Sequence, residues 1–137
     1  MPELFLDSGF AIALASRRDQ HHQRAVELAS DIKANASKLV TTQAVVLEIG
    51  NSLSKRNYRA DGVRLIASLR SDPSVEIVAN DEELFDKSFA LFANRGDKEW
   101  SLTDCMSFIV METRGIKDAL TPDDHFNQAG FNALIRD

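Results

Sequence analysis

Leu4-Phe5-Leu6-Asp7-Ser8-Gly9 opens the chain with a short apolar run, one acid and a polar pair. The run reads as a buried strand that ends in a turn at Asp7-Ser8-Gly9. A short helix is expected over residues 10–15. Residues 20–34 place Ala25, Val26, Leu28, Ala29 and Ile32 at helical spacing. The order then repeats. Leu39-Val40-Thr41-Thr42 reads as a second strand, and residues 43–55 as a helix with Val45, Val46, Ile49 and Leu53 on one face. A further helix over 61–69 stops at Asp72-Pro73, and Val75-Glu76-Ile77-Val78-Ala79 reads as a third strand. A helix over 81–94 ends at Arg95-Gly96-Asp97, glycine suiting the position after a helix. Ser101-Leu102-Thr103-Asp104 opens another helix through 113. Ala119-Leu120-Thr121 is a fourth strand, Pro122 leads into a polar turn, and residues 131–135 supply an edge strand. Strands alternating with helices imply an α/β fold around a mostly parallel sheet.

The chain has 137 residues, the length of one ordinary domain, so residues 1–137 are read as a single unit. A hydrophobic content of 44% is enough to build a core without disulfides. The one cysteine, Cys105, excludes an intrachain disulfide and a cysteine-based zinc site. No run approaches the ~18 apolar residues of a membrane span, and no leader-like stretch opens the sequence, so a cytoplasmic protein with no membrane partner is expected. A net charge of −5 argues against coating nucleic acid through bulk positive charge. Two basic clusters stand against that background, Arg17, Arg18, His21, His22 and Arg24, and Lys55, Arg56, Arg59 and Arg64. Taken alone, each reads as a solvated helix face, with His21 and His22 exposed.

Function is carried by four acids at the ends or starts of elements: Asp7, Glu48, Asp104 and Asp123. Carboxylates held beside a core are costly unless a positive charge lies between them. Magnesium and manganese ions prefer oxygen ligands, so a metal-dependent enzyme acting on phosphate esters follows. In an open parallel sheet, sites form outside the carboxyl ends of strands, and all four acids can meet there. Three have a plainer explanation. Asp7 suits a turn, and Asp104 completes a capping box begun by Ser101. Asp124 suits the same role behind Thr121, with Pro122 as the first helical residue, which would make its neighbour Asp123 part of a helix start. No cap or turn requires Glu48.

The remaining candidates point less clearly. His125 is a candidate metal ligand, but a lone histidine more often hydrogen-bonds locally, and the local bond is the preferred reading. Cys105 lacks a histidine signature for nucleophilic catalysis. No glycine-rich phosphate loop is present. Trp100 is read as either a lid or a core anchor. A phosphorelay receiver with Asp7 as acceptor would need an acidic pair near Asp7 and a lysine after a late strand, and neither is found.

At these acids the chain resembles the PIN-domain ribonucleases, in particular the VapC toxins of type II toxin–antitoxin modules. That pattern is an Asp after the first strand, a Glu on a helix, a Ser/Thr-Asp at a helix start and an Asp after a late strand. Here these are Asp7, Glu48, Thr103-Asp104 and Asp123. Asp97-Lys98-Glu99-Trp100-Ser101-Leu102-Thr103-Asp104-Cys105 and the stretch from Ala119 to Phe131 carry the likeness further. Asp124 departs from it, standing where a basic or histidine residue is usual. Asp123 keeps the spacing to His125-Phe126 and is the preferred ligand, with Asp124 and Thr103 in supporting roles. The resemblance implies a three-layer α/β/α sandwich with four or five strands. It further implies endonucleolytic cleavage of RNA with Mg²⁺ or Mn²⁺, a cognate antitoxin and a homodimer. A catalytically silent scaffold of the same fold, binding RNA or protein, is the alternative.

Overall fold

The computed structural model describes residues 3–135, so the outermost residues of the expected 1–137 domain lie outside it. The strands are β1 (Glu3–Leu6), β2 (Lys38–Thr42), β3 (Val75–Val78), β4 (Asp118–Leu120) and β5 (Asn132–Ala133). The helices are α1 (Ser8–Ala15), α2 (His22–Ala34), α3 (Gln43–Ser52), α4 (Arg59–Ser71), α5 (Glu82–Asn94), α6 (Leu102–Arg114) and α7 (Asp124–Gln128). The strands form one sheet in the order β3-β2-β1-β4-β5, and every pairing is parallel. Helices flank it, with α1 packed on α2 and α3, and α5 packed on α6. This is the α/β fold around a parallel sheet that the alternating pattern implies, in the three-layer sandwich that the resemblance implies.

Apolar residues of the central strands close the core. Phe5, Val40, Ala119 and Leu120 are completely buried, as are Val45 and Ile49 from α3 and Phe126 from α7. Trp100 is a core anchor. It meets Phe108 edge-on at 5.0 Å, donates its indole N–H to Gln128 Oε1 at 3.2 Å, and carries the Arg95 guanidinium over its ring. His21 and His22 are both half-buried, not exposed; the His22 ring nitrogen Nδ1 lies 2.7 Å from the Ala13 carbonyl oxygen and ties α2 to α1.

Topology decides where a site can form. From β1 the chain moves outward through β2 to β3, then crosses to the other side of β1 for β4 and β5. The order therefore reverses beside β1, and a crevice opens at the carboxyl ends of β1 and β4. Asp7 and Asp123 lie there.

Three local expectations are revised. No turn follows β1, since α1 starts at Ser8 directly after Asp7. The polar stretch after Pro122 contains a helix, α7, which begins at Asp124 with Asp123 as its N-cap, so Pro122 and Asp124 do not build a capping box behind Thr121. Gly96 is not the left-handed glycine of a helix end. Arg95 closes α5 and pairs with Asp97 at 3.0 Å, whereas Gly115 at φ 68° closes α6.

Gly9 lies inside α1 because Pro122 is pressed against it. A Cβ built there would meet Pro122 Cδ at 2.8 Å, and neither a ring nor a strand end yields easily. Gly9→Ala should therefore lower the melting temperature. The helix-propensity gain of about 1 kcal/mol is outweighed by an overpacking cost of about 1–3 kcal/mol. A thermal melt checks this, and a rise would show that the β4–α7 connection moves freely.

Candidate active site

Asp7, Ser8, Gly9, Glu48, Glu99, Ser101, Asp104, Thr121, Pro122, Asp123 and His125 line one cleft at the carboxyl edge of the sheet. Each side chain arrives there for a local reason. Asp7 ends β1 and occupies the N-cap position of α1 without making a side-chain cap bond. Only 6% of the residue is exposed, and its Oδ2 accepts a hydrogen bond of 2.7 Å from the Thr121 hydroxyl. Glu48 points from the middle of α3, where it accepts a hydrogen bond from the Ser8 hydroxyl. Asp104 is the third residue of α6 and completes the expected capping box. Its backbone N–H donates to Ser101 Oγ at 3.0 Å, and its Oδ2 accepts from the Ser101 N–H at 3.2 Å. Asp123 caps α7 by accepting from the His125 N–H at 2.9 Å.

His125 does not bond only locally; it joins the acids of the cleft. Its Nδ1 lies 3.0 Å from Asp104 Oδ2 and 3.5 Å from Asp123 Oδ1. One ligand atom from each of Asp104, Asp123 and His125 falls within 4.8 Å of the others, a spacing at which one ion can be held. Asp7 and Glu48 line the same cleft but are not part of that tight group.

Asp124 points elsewhere. It is exposed and accepts hydrogen bonds from Asn127 Nδ2 at 3.1 Å and Gln128 Nε2 at 3.4 Å, bonds that hold its carboxyl below the usual range. Of the neighbouring pair, Asp123 is the acid that lines the cleft. Thr103 lines an adjoining depression with Leu47, Asn51 and Glu48, so it meets the cleft only through Glu48.

The electrostatics follow from this crowding. Burial is the main cause that raises the Asp7 carboxyl to about 7; the hydrogen bonds from Thr121 and the Ser8 backbone pull it back, and the charges of Glu48 and Asp104 push it up again. For His125 burial pulls downward, but the hydrogen bond to Asp104 and the charges of Asp123, Asp104 and Glu99 outweigh it, leaving a net rise. The imidazole therefore holds its proton more tightly than usual. Cys105 is fully buried behind Asp104, and burial followed by that charge raises its thiol, which makes it a poor nucleophile.

Five of the lining residues carry carboxylates (Asp7, Glu48, Glu99, Asp104 and Asp123), and among the described residues no lysine or arginine lines the cleft. This donor set, rich in carboxylate oxygen with one imidazole and no thiolate, suits a hard divalent cation.

The chain is thus a parallel α/β domain with a carboxylate-lined cleft at the point where strand order reverses. The PIN domain family model matches residues 4–132, and the chain belongs to that family. It is 29% identical over 129 residues to VapC20 of Mycobacterium tuberculosis, described as a 23S rRNA-specific endonuclease, covering 93% of this chain and 95% of that relative. The crystal structure of VapC20, a sarcin-ricin loop cleaving toxin, matches with a TM-score of 0.84 at 25% identity over 97% of this chain and 99% of that one. DNA-bound VapBC from Salmonella typhimurium matches in fold, with a TM-score of 0.67 at 15% identity and 97% of each chain covered.

Sequence reasoning placed four acids here and undervalued three other groups. Ser8, Thr121 and His125 each bond to one of the acids. For Ser8 and Thr121 the partner lies 40 and 114 residues away, a separation that no local pattern encodes.

The raised Asp7 carboxyl sets a sign for stability. Folded Asp7 keeps its proton up to about 7, whereas the unfolded chain releases it near 3.8. Between those values folding takes up a proton, so the contribution present at low pH is lost as pH rises, at up to about 1.4 kcal/mol per pH unit. Asp7→Asn has no such loss. In EDTA it should melt with the parent near pH 4, gain on it steadily to pH 7 and hold a constant lead above. Parallel melting curves across that window would mean that Asp7 is already paired or solvated.

Proposed function

We propose that this chain is a divalent-metal-dependent endoribonuclease that uses Mg²⁺ or Mn²⁺ and acts as the toxin of a type II toxin–antitoxin module. The observation that supports this most strongly is the cleft itself. Five carboxylates converge beside the β1–β4 crevice in a chain of the PIN family, and no lysine or arginine among the described residues lines it. A phosphodiester would be repelled from such a cleft unless a cation lay between them.

Asp7, Glu48, Asp104 and Asp123 are the residues proposed to hold the ion. When bound, a divalent cation supplies Lewis acidity to a phosphoryl group and acidifies water. The chain's own contribution is placement. Ser8 holds Glu48, and the Ser101 backbone and His125 hold Asp104, so the acids need little rearrangement. Hydrolysis adds water across one phosphodiester. A bond forms between the water oxygen and phosphorus, the bond from phosphorus to the 3′ oxygen breaks, and the leaving oxygen takes a proton. Arg17, Arg18, Lys55 and Arg56 are exposed, follow α1 and α3 in the chain, and are the cationic groups proposed to meet the RNA backbone outside the cleft.

The likeness to VapC20 over nearly the whole chain makes 23S rRNA the first RNA to test. The same likeness supports a cognate antitoxin, a homodimer and action in the cytoplasm by one domain spanning residues 1–137. Phe85, Phe89 and Phe92 follow one face of α5 at 41%, 54% and 45% exposure, an apolar ridge suited to a protein partner. Among the described residues no helix is long and apolar enough to cross a membrane.

RNA cleavage should require Mg²⁺ or Mn²⁺ and stop in EDTA. Glu48→Gln keeps shape and helix propensity but removes one charge, and should slow cleavage by at least ~10²-fold with little change in the melt. The check is a gel assay on purified RNA. Cleavage persisting in EDTA, or parental turnover by a folded Glu48→Gln protein, would place the chemistry elsewhere.

A further inference from the structure

The acids of the cleft are not independent of one another, and the link between two of them is a single buried hydroxyl. Thr121 stands one residue past β4 and is completely buried. Its Oγ1 donates to Asp7 Oδ2 at 2.7 Å and accepts from the Asp123 backbone N–H at 3.1 Å. The hydroxyl proton is thereby committed to Asp7, and a lone pair is committed to the residue that begins α7.

We propose that Thr121 is a positioning residue for the cation site: it fixes the rotation of the Asp7 carboxylate through Oδ2 and locks Asp123 to the same reference point. This rests on the metal-site reading above. The backbone supports the assignment on both sides. The Asp7 N–H donates to the Leu120 carbonyl at 3.3 Å, and the Thr121 carbonyl accepts from the Ile135 N–H at 3.1 Å. Thr121 therefore has its main chain held, and its side chain turns inward to the acids. A carboxylate with one oxygen pinned by a hydroxyl loses less freedom on binding an ion than one free to rotate.

Thr41 provides an internal comparison. It lies in β2, on the opposite side of β1, is equally buried, and donates its hydroxyl at 2.7 Å to the backbone carbonyl of Leu6. Both threonines tie a neighbouring strand to the end of β1. Only Thr121 spends its proton on a carboxylate. If buried hydroxyls at this edge served packing alone, the two would be interchangeable in their effect on the ion.

The experiment measures Mn²⁺ affinity of the purified, RNA-free protein by calorimetry, with the metal dependence of cleavage as a second readout. Thr121→Val keeps the shape and removes the hydroxyl. It should weaken Mn²⁺ binding by about 10- to 100-fold, with the loss in cleavage largely recovered at saturating metal. Thr121→Ser restores the hydroxyl and should bind close to the parent. Thr41→Val should lower the melting temperature similarly and leave Mn²⁺ affinity near the parent. Where Thr121→Val fails to fold, Thr121→Cys, of similar volume but a weak donor, takes its place with the same expected loss. Parental affinity in Thr121→Val, equal losses in Thr121→Val and Thr121→Ser, or an equal loss in Thr41→Val would each overturn the assignment. A parent that binds no Mn²⁺ at all would instead overturn the metal-site reading, and this inference with it.

Discussion

The buried carboxylate of Asp7 is the constraint around which the cleft is arranged. It sits at the end of the central strand with 6% of the residue exposed, beside Glu48 and Asp104 and without a basic partner among the described cleft residues. Burying an acid there is expensive, and the hydrogen bonds from Thr121 and Ser8 recover only part of the cost, as its rise to about 7 shows. A fold selected for stability alone would replace it with an apolar residue or neutralise it. Its presence is the expected signature of a site kept at a cost in stability.

The topology explains why that cost is concentrated at one place. With β1 central and the chain reversing direction beside it, the carboxyl ends of β1 and β4 form a crevice that no connection fills. Asp7 enters from β1, Asp123 from the segment after β4, Glu48 from α3 and Asp104 from the first turn of α6. Two of these acids serve a second purpose. Asp104 completes the capping box of α6, and Asp123 caps α7, so the same hydrogen bonds that begin the helices also fix the carboxylates. His125 then lies between Asp104 and Asp123, its ring Nδ1 3.0 Å from one carboxylate and 3.5 Å from the other.

Much of this was readable in the sequence because it is local. Short apolar runs gave the strands, helical spacing gave α2, α3, α4 and α5 to within a few residues, and Ser101-Leu102-Thr103-Asp104 announced α6 and its capping box. The four acids could be picked out because each breaks or borders an apolar pattern. The errors came where a short segment had two solutions. Thr121-Pro122-Asp123-Asp124 permits a helix starting at Pro122 or one capped by Asp123, and the hydrogen bond from Thr121 Oγ1 to Asp7, made across the sheet, accompanies the second. Likewise Ser8-Gly9 has the composition of a turn but forms helix, since Gly9 is the residue that lets Pro122 approach. The supporting groups Ser8 and Thr121 were not legible, because their partners are set by tertiary packing.

The central claim is that Asp7, Glu48, Asp104 and Asp123 together hold one or two divalent ions. The most direct test is a crystal grown with Mn²⁺, with anomalous scattering recorded to locate the metal. The account predicts an anomalous peak in the cleft within bonding distance of carboxylate oxygens that include one from Asp7, and its loss in Asp7→Asn. A cleft without a peak at saturating Mn²⁺, or a peak held by other residues, would contradict it.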